Sequence, residues 1–303
     1  MAMTRPPKET PQSRPAEEDE PTARRRQLGF RLLALREQRG MTAERAGELA
    51  GLSKATVSRY ERAKGNVRWG HVEMLCRAYE APAEEREALV DLAKNSKVKD
   101  GWWVPYAGKL AQPMRLLIAV EDEATRISQH TVGVIPGLLQ TMEYARAIKA
   151  TPGHELSDEA LDEYLFMRRR RQQILDRASP PRYQVVLDEA VIRRSVGGPD
   201  VMSAQLSYLL ERGHEPNITI QVLPFSAGIC TAAVNSFIVY GGSDPSLDVT
   251  FVENQVGTLV LEEDQARKEF ASAIAFLRHE ALDPVSSAAM IAEASKSHLR
   301  HRN

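Results

Sequence analysis

The feature that most constrains this chain is the stretch MTAERAGELAGLSKATVSRYE at residues 41–61, which predicts two short helices joined by a tight turn. Thr42 is placed to cap the first helix, because its hydroxyl can accept a hydrogen bond from a first-turn N–H. Arg45 stands where a full capping box would need Glu or Gln. Gly51 falls where the chain must reverse with a positive φ, and Ser53 is placed to cap the second helix. The stretch therefore predicts a compact pair of helices.

The two predicted helices have distinct faces. The first repeats small residues at helical spacing, which lets a second helix approach closely; they are Ala43, Ala46, Leu49 and Ala50. In the second helix, Val57 and Tyr60 are three residues apart and are expected to face the core, with Leu52 as an apolar plug in the turn. The opposite face is expected to be exposed and carries Lys54, Ala55, Ser58, Arg59 and Arg62. Such a helix is suited to enter the major groove of DNA.

The stretch resembles the lambda-repressor-like, or XRE, family of helix-turn-helix DNA-binding domains. The resemblance continues on both sides, where LGFRLLALREQRG predicts the preceding helix and RWGHVEMLCRAYEA the following one. The chain has Ala46-Gly47 where the family usually has Leu-Ala, and Gly47 is expected to cost about 1 kcal/mol of helix stability relative to alanine. An ordinary helical hairpin is the alternative interpretation, but the turn, the cap and the flanking helices agree on a DNA-binding domain.

The resemblance implies which residues contact DNA. The base-facing positions of the family correspond to Lys54, Ala55, Thr56 and Arg59. Arg59 is the best candidate for a guanine contact, because its guanidinium can donate to O6 and N7 together, whereas Ala55 and Thr56 can touch a thymine methyl. Contacts to the phosphate backbone are expected from Thr42, Ser58, Arg62 and Lys64. The expected partner is double-stranded DNA, bound by a homodimer on an inverted-repeat operator with half-sites about 34 Å apart.

The distribution of charge agrees with a DNA-binding N-terminal part. The chain of 303 residues has a net charge of −1, but residues 22–99 carry 17 Lys and Arg against 10 Asp and Glu, hence +7. Residues 100–303 carry 20 against 26, hence −6. A basic region around the motif is what phosphate binding requires. Without a membrane-span-length apolar run or a signal-peptide core, the chain is expected in the cytoplasm, at the nucleoid when bound to DNA.

Composition divides the chain into five predicted parts. They are a disordered tail at residues 1–23, a helix-turn-helix domain at 24–97, a linker at 98–114, an α+β regulatory domain at 115–292 and a basic tail at 293–303. Arg24, Arg25 and Arg26 are interpreted either as a basic arm for DNA or as solvated charges. Trp102 and Trp103 in the linker form either a docking surface or an interdomain anchor.

The period of the apolar residues changes in the second half. Helices are predicted at about residues 114–130, at 157–177 and in PDVMSAQLSYLLERG, whereas YQVVLDEAV, ITIQVLP, SFIVYG and DVTFVEN are typical of strands. A helix at about residues 262–280 and a last short one follow. The predicted fold class is an all-α lambda-repressor-like domain followed by an α+β or α/β domain with a small sheet covered by helices. The run at residues 168–171 either pairs with acids of this domain or docks a partner.

A second resemblance covers about residues 115–290. The series EDEATRI, VIPGLLQTMEYARAI, RRRRQQIL, VVLDEAVIRRSVGG, ITIQVLPFSAG, FVEN and FLRHEALDP, in this order, is similar to a C-terminal domain of unknown function in actinobacterial XRE-type regulators, including WhiJ-like proteins. The resemblance implies a transcriptional regulator. It also implies a small protein, encoded by a neighbouring gene, that binds the C-terminal domain. It supplies no catalytic residues.

An enzyme in the second half is disfavoured. The candidates are Asp188-Glu189, His214, Cys230 and Glu253, and their spacing matches no metal site, nucleophile elbow or phosphate-binding loop. Cys76 is expected to be a buried thiol. We therefore predict no catalytic, cofactor or metal site. Two alternatives to a regulator stay open: an antitoxin-like protein-binding module that represses its own gene, and an enzyme tethered to DNA.

Overall fold

A computed structural model of the chain describes residues 23–64, 67–95, 102–103, 106, 110, 112–150, 156–228, 231–242, 248–254 and 257–300. The chain forms two compact units, Met1–Asp100 and Gly101–Asn303. The first unit is helical and the second is α+β, so that the predicted fold class is confirmed. The expected disordered tail, apart from Ala23, and most of the expected linker lie outside the described residues. The five domain boundaries therefore stay predictions.

The first unit packs its helices around one apolar core. They are α1 (Ala23–Gln38), α2 (Ala43–Ala50), α3 (Lys54–Glu61), α4 (Trp69–Ala78) and α5 (Ala83–Asn95). The core takes Leu28 and Leu32 from α1, Val57 from α3 and Leu75 from α4. Trp69, the first residue of α4, is 52% exposed and lies outside this core.

Two glycines set how closely these helices approach. A Cβ on Gly47 of α2 would lie 2.5 Å from the carbonyl oxygen of Leu52 in the turn, and a Cβ on Gly29 of α1 would lie 2.6 Å from that of Tyr60 in α3. Neither backbone oxygen can give way without moving the chain. Gly47 is therefore required by packing, and the cost predicted for it from helix propensity alone is incomplete.

The second unit consists of helices around a mixed sheet. The helices are α6 (Gln112–Glu123), α7 (Met142–Lys149), α8 (Asp158–Gln172), α9 (Glu189–Arg193), α10 (Pro199–Arg212), α11 (Asp264–Glu280) and α12 (Pro284–Arg300). The strands are β1 (Arg126–Thr131), β2 (Arg182–Asp188), β3 (Ile218–Leu223), β4 (Phe237–Gly241), β5 (Val249–Asn254) and β6 (Gly257–Leu261). The strand order is β3-β2-β1-β4-β5-β6, with β1, β2 and β3 parallel and the other pairs antiparallel.

Four predicted strands are confirmed as β2 to β5, and three elements differ from expectation. Strand β1 lies where the sequence predicted a helix, and it is central, paired in parallel with β2 and antiparallel with β4. Strand β6 was not predicted. Helix α12 continues to Arg300, so that residues 293–300 of the predicted basic tail are helical. It continues because Ile291 and Ala294 are buried, and Ser295 bonds to Ser203 of α10.

The run at residues 168–171 on α8 has separate partners within the second unit. Arg171 forms a bidentate pair with the buried Glu121 of α6, with N–O distances of 2.8 and 2.7 Å. Burial acts to lower the pKa of Arg171, but the Glu121 carboxylate raises it above its ordinary value. The Arg170 guanidinium lies over the Trp102 ring, 5.3 Å from its centroid. The interpretation as pairing with the domain's own acids is confirmed for Arg171, and Trp102 packs on α8.

Candidate nucleic-acid interface

The structure builds the turn between α2 and α3 as the sequence predicts. Thr42 Oγ1 accepts a hydrogen bond from the Arg45 amide at 3.1 Å and caps α2. Gly51 has φ +65°, the left-handed region, and nothing lies where its Cβ would be. Ser53 Oγ accepts from the Thr56 amide at 3.1 Å and caps α3. Each cap satisfies an N–H that the helix leaves unpaired, so that the direction of α3 is fixed locally.

Contacts at the other end of α3 hold it on the bundle. Glu61 accepts two hydrogen bonds from the Arg36 guanidinium of α1, at 2.6 and 3.0 Å. The pKa of Arg36 is raised because of this hydrogen bond. The Tyr60 hydroxyl lies 2.8 Å from Nδ1 of His71 on α4, and burial lowers the pKa of His71. Together with the buried Val57, these contacts fix which face of α3 points outward.

The outward face of α3 presents the predicted base-reading residues. Lys54, Ala55 and Arg59 are exposed, whereas Thr56 is half-buried. Arg59 makes no side-chain hydrogen bond or ion pair within the described part of the chain. Lys54 lies 3.5 Å from the Glu44 carboxylate of α2, and both side chains are mostly exposed. An exposed pair of this kind is worth about 0–1 kcal/mol, so that it presents little barrier to a phosphate or a base.

The predicted phosphate-binding residues flank this face. Thr42 is exposed at the start of α2, and Ser58 and Arg62 belong to α3 and its end, with Arg62 Nε donating to the Ser58 carbonyl at 3.0 Å. Lys64 is exposed after α3. The Thr56 hydroxyl is 2.9 Å from Ser53 Oγ, which leaves its methyl group as the part suited to a thymine. These residues lie together on and beside α3, but their roles in binding stay predictions.

The structure adds one basic residue that the sequence analysis did not select. Arg68 is exposed at the N-cap of α4, and its amide lies 3.4 Å from the Tyr60 hydroxyl of α3. The start of α4 therefore adjoins the end of α3, with the exposed Trp69 beside it. The signal available in the sequence was a basic residue at the start of a predicted helix, which is too common to single out.

Among the enzyme candidates of the second unit that the structure describes, Asp188 and Glu189 have partners within the fold. Asp188 accepts a hydrogen bond from the Ala190 amide and caps α9. Glu189 is buried, and its carboxylate is bonded to Arg193 and to the Phe225 amide. His214 and Glu253 are exposed, and Cys230 lies outside the described residues. In the described part of the chain, no group of three or more His, Cys, Asp or Glu could hold a metal ion.

Comparison with protein-family models gives two matches. Residues 27–89 match a model described as a helix-turn-helix domain, which is the class of domain that binds DNA. Residues 114–293 match the model of a domain of unknown function, DUF5753, and this match covers more than half of the chain. The chain belongs to the DUF5753 family. No curated protein and no solved structure matches it.

The order of the two matches makes this DUF5753 protein a helix-turn-helix regulator with a C-terminal domain of unknown function. The first match contains α2, Gly51 and α3, and the second contains all six strands. A helix-turn-helix domain indicates a regulator rather than an enzyme. In the described residues of this DUF5753 protein, no helix has the length and apolar character needed to cross a bilayer.

Proposed function

We propose that this protein is a sequence-specific transcriptional repressor of the lambda-repressor-like, or XRE, class, similar to the WhiJ-like regulators of actinobacteria. The single observation that supports it best is the exposed guanidinium of Arg59, which has no partner among the described residues and lies on the outward face of a helix held by caps and by core contacts. A regulator acts where the chromosome lies, so that we place the protein in the cytoplasm, at the nucleoid when bound.

In this proposal two sets of residues on and beside α3 have different roles, one reading bases and the other contacting phosphates. Arg59 reads a guanine, Lys54 reads a guanine or contacts a phosphate, and Ala55 and Thr56 touch a thymine methyl. The contacts that fix the register without selecting sequence come from Thr42, Ser58, Arg62 and Lys64, to which the position of Arg68 adds one more. The net charge of +7 on residues 22–99 supplies the attraction to phosphate.

The second domain has the proposed task of receiving a signal. Its net acidic charge disfavours binding to the DNA phosphates. We therefore assign to its surface the binding of a small protein or a ligand. The alternative function is an antitoxin-like module whose main task is to bind a partner protein, with DNA binding used to control its own gene. Deletion of this chain's own gene, with the small neighbouring gene kept or also deleted, discriminates between them: a growth defect that disappears when the neighbour is also deleted favours the antitoxin, and a change in transcription alone favours the regulator.

The experiment that tests the proposed function replaces Arg59. Operator sites are first mapped by sequencing the genomic fragments that the purified full chain retains. Arg59→Ala is then expected to lower affinity for such a site by about 1–3 kcal/mol and to relax selectivity at one base pair. Affinity is measured by fluorescence anisotropy at fixed salt, on the site and on its single-base variants.

Arg77→Ala is the matched control, because Arg77 is an exposed arginine of the same unit, paired with Glu73 on α4. It is expected to leave affinity and selectivity unchanged. Equal affinity and selectivity of Arg59→Ala and the parent chain would contradict the role given to Arg59. A parent chain that retains no DNA at low salt would contradict the whole proposal.

A further inference from the structure

A cavity of about 630 Å³ opens in the second unit between α11, the 3-10 turn Thr231–Ala233 and strands β4 and β5. Its inner wall is apolar and aromatic. Phe237 of β4 and Phe270 of α11 meet there, with 4.9 Å between ring centroids and planes tilted by 58°. Sites for small molecules occupy roughly 300–1,000 Å³ and are lined mostly by apolar groups. The size and lining of this cavity therefore suit a small molecule with a planar apolar body.

The cavity exists because α11 closes on the sheet mainly at its C-terminal half. Leu277 is fully buried in the apolar cluster formed with Val186 and Phe237 of the sheet. The first two turns of α11 instead place polar side chains at the mouth of the cavity. The uncovered sheet face continues beside it, where Leu259 of β6 pairs with Val252 of β5 and is half exposed.

The mouth of the cavity carries one charge of each sign. Lys268 is exposed and forms no ion pair or hydrogen bond within the described part of the chain. Glu269 also lies at the mouth and keeps its negative charge, and its Oε1 accepts a hydrogen bond from Gln265 Nε2 at 2.7 Å. Asn235, another lining residue, adds a neutral group that can donate to a ligand or accept from it. An incoming carboxylate can therefore pair with Lys268, which has no other partner among the described residues.

We propose that this cavity binds an aromatic carboxylate or sulfonate of about the size of naphthalene. Its ring lies against Phe237 and Phe270, and its anionic group reaches Lys268. The inference rests on the proposed role of the second domain as the receiver of a signal, and it names the site and the chemical class of the ligand.

The cavity also has a physical connection to the centre of the sheet. The turn Thr231–Ala233 forms one wall, and the carbonyl oxygen of Ala233 lies 3.4 Å from Nε2 of His130 on β1. The other ring nitrogen, Nδ1, lies 3.1 Å from the carbonyl oxygen of Val186 on β2. A ligand that displaces the turn therefore acts on a buried contact of the two central strands.

The test uses the full chain without DNA, with 8-anilinonaphthalene-1-sulfonate as the fluorescent probe. The probe is expected to saturate one site per chain. The anion 1-naphthoate is expected to displace it and to raise the melting temperature, whereas the cation 1-naphthylmethylammonium does neither. Lys268→Met should weaken 1-naphthoate about tenfold, because it removes a charge-assisted contact. Ser272→Trp places a large side chain at an exposed position of the mouth and should abolish binding of both the probe and 1-naphthoate. Lys296→Met, a change at an exposed lysine of α12, should leave the binding of both unchanged.

Several outcomes would overturn the inference. One is that 1-naphthoate displaces the probe from both Lys268→Met and Ser272→Trp as it does from the parent chain. Another is that the cation 1-naphthylmethylammonium displaces the probe as well as 1-naphthoate does. If 1-naphthoate is inert and Ser272→Trp halves the solution mass, the cavity is an interface between two copies and holds no ligand. Because the probe measurements use no DNA, a failure of operator binding in the Arg59 experiment contradicts the proposed function, whereas ligand binding by the cavity is decided by the probe measurements alone.

Discussion

His130 shows how a single polar residue is fitted into the sheet. It is fully buried on β1, its ring 6.0 Å from that of Phe237, and its two nitrogens face the carbonyl oxygens of Val186 and Ala233. A neutral imidazole has one N–H and can donate to only one of them. Burial lowers the pKa of His130, although the two carbonyls and the charge of Asp188 act to raise it. The folded state therefore holds His130 neutral at neutral pH.

This environment predicts that the second unit loses stability in mild acid. The unfolded chain protonates this histidine near pH 6.5, whereas the folded chain does so only at lower pH, so that stability is lost as pH falls below about 6.5. Hydrogen exchange of the β1 and β2 amides is expected to accelerate between pH 7.5 and 5.5, after correction for the intrinsic rate. His130→Gln should reduce this dependence, whereas His279→Gln, an exposed histidine of α11, should preserve it. An unchanged dependence in His130→Gln would exclude this cause.

At the scale of elements, the approach of α2 to the following turn depends on a missing side chain. Helix propensity favours alanine at every interior position, by about 1 kcal/mol over glycine. At Gly47, however, an added Cβ meets the backbone of Leu52 at 2.5 Å and that of Ser53 and Lys54 at 3.3 Å. Gly70 of α4 is the matched comparison, because nothing lies within 4 Å of its Cβ position. Packing therefore opposes helix propensity at Gly47, whereas at Gly70 only helix propensity acts.

Gly47→Ala is expected to destabilise the first unit by about 1–3 kcal/mol, the usual cost of overpacking. Gly70→Ala is expected to stabilise it by up to about 1 kcal/mol. Thermal unfolding of the full chain, followed by circular dichroism at 222 nm, measures both changes in the transition of the first unit. A Gly47→Ala chain whose first unit melts at or above the temperature of the parent chain would contradict this prediction. It would show that the turn adjusts to the added Cβ and that helix propensity determines the change in stability.

At the scale of the whole molecule, one helix-turn-helix unit offers a short reading surface. The proposed homodimer is therefore argued from the two-fold symmetry of operators. Light scattering of the full chain is expected to give twice the mass of 33.8 kDa. Footprints on the mapped sites should show two inverted half-sites about 34 Å apart. A light-scattering mass equal to one chain, both for the free protein and for the protein bound to the operator, would contradict the proposed homodimer.

The sequence by itself determined the elements whose signals are local. Thr42, Gly51 and Ser53 specify caps and a turn through their own chemistry, and the structure confirms each of them. Strands β2 to β5 are short runs rich in Val, Ile and Phe between turn residues, which is the local signal of a strand. The basic N-terminal and acidic C-terminal charges are likewise a property of the sequence alone.

Only the tertiary structure decided the elements and sites that depend on distant partners. Strand β1, RISQHT, has no strand pattern of its own, and it is a strand because β2 and β4 pair with both of its edges and His130 finds carbonyl partners. Arg171 is buried because Glu121, 50 residues away, neutralises it. The cavity beside Phe270 likewise depends on where α11 leaves the sheet. The physical reason is that a polar group can be buried only once its partner is in place, and no local pattern records that partner.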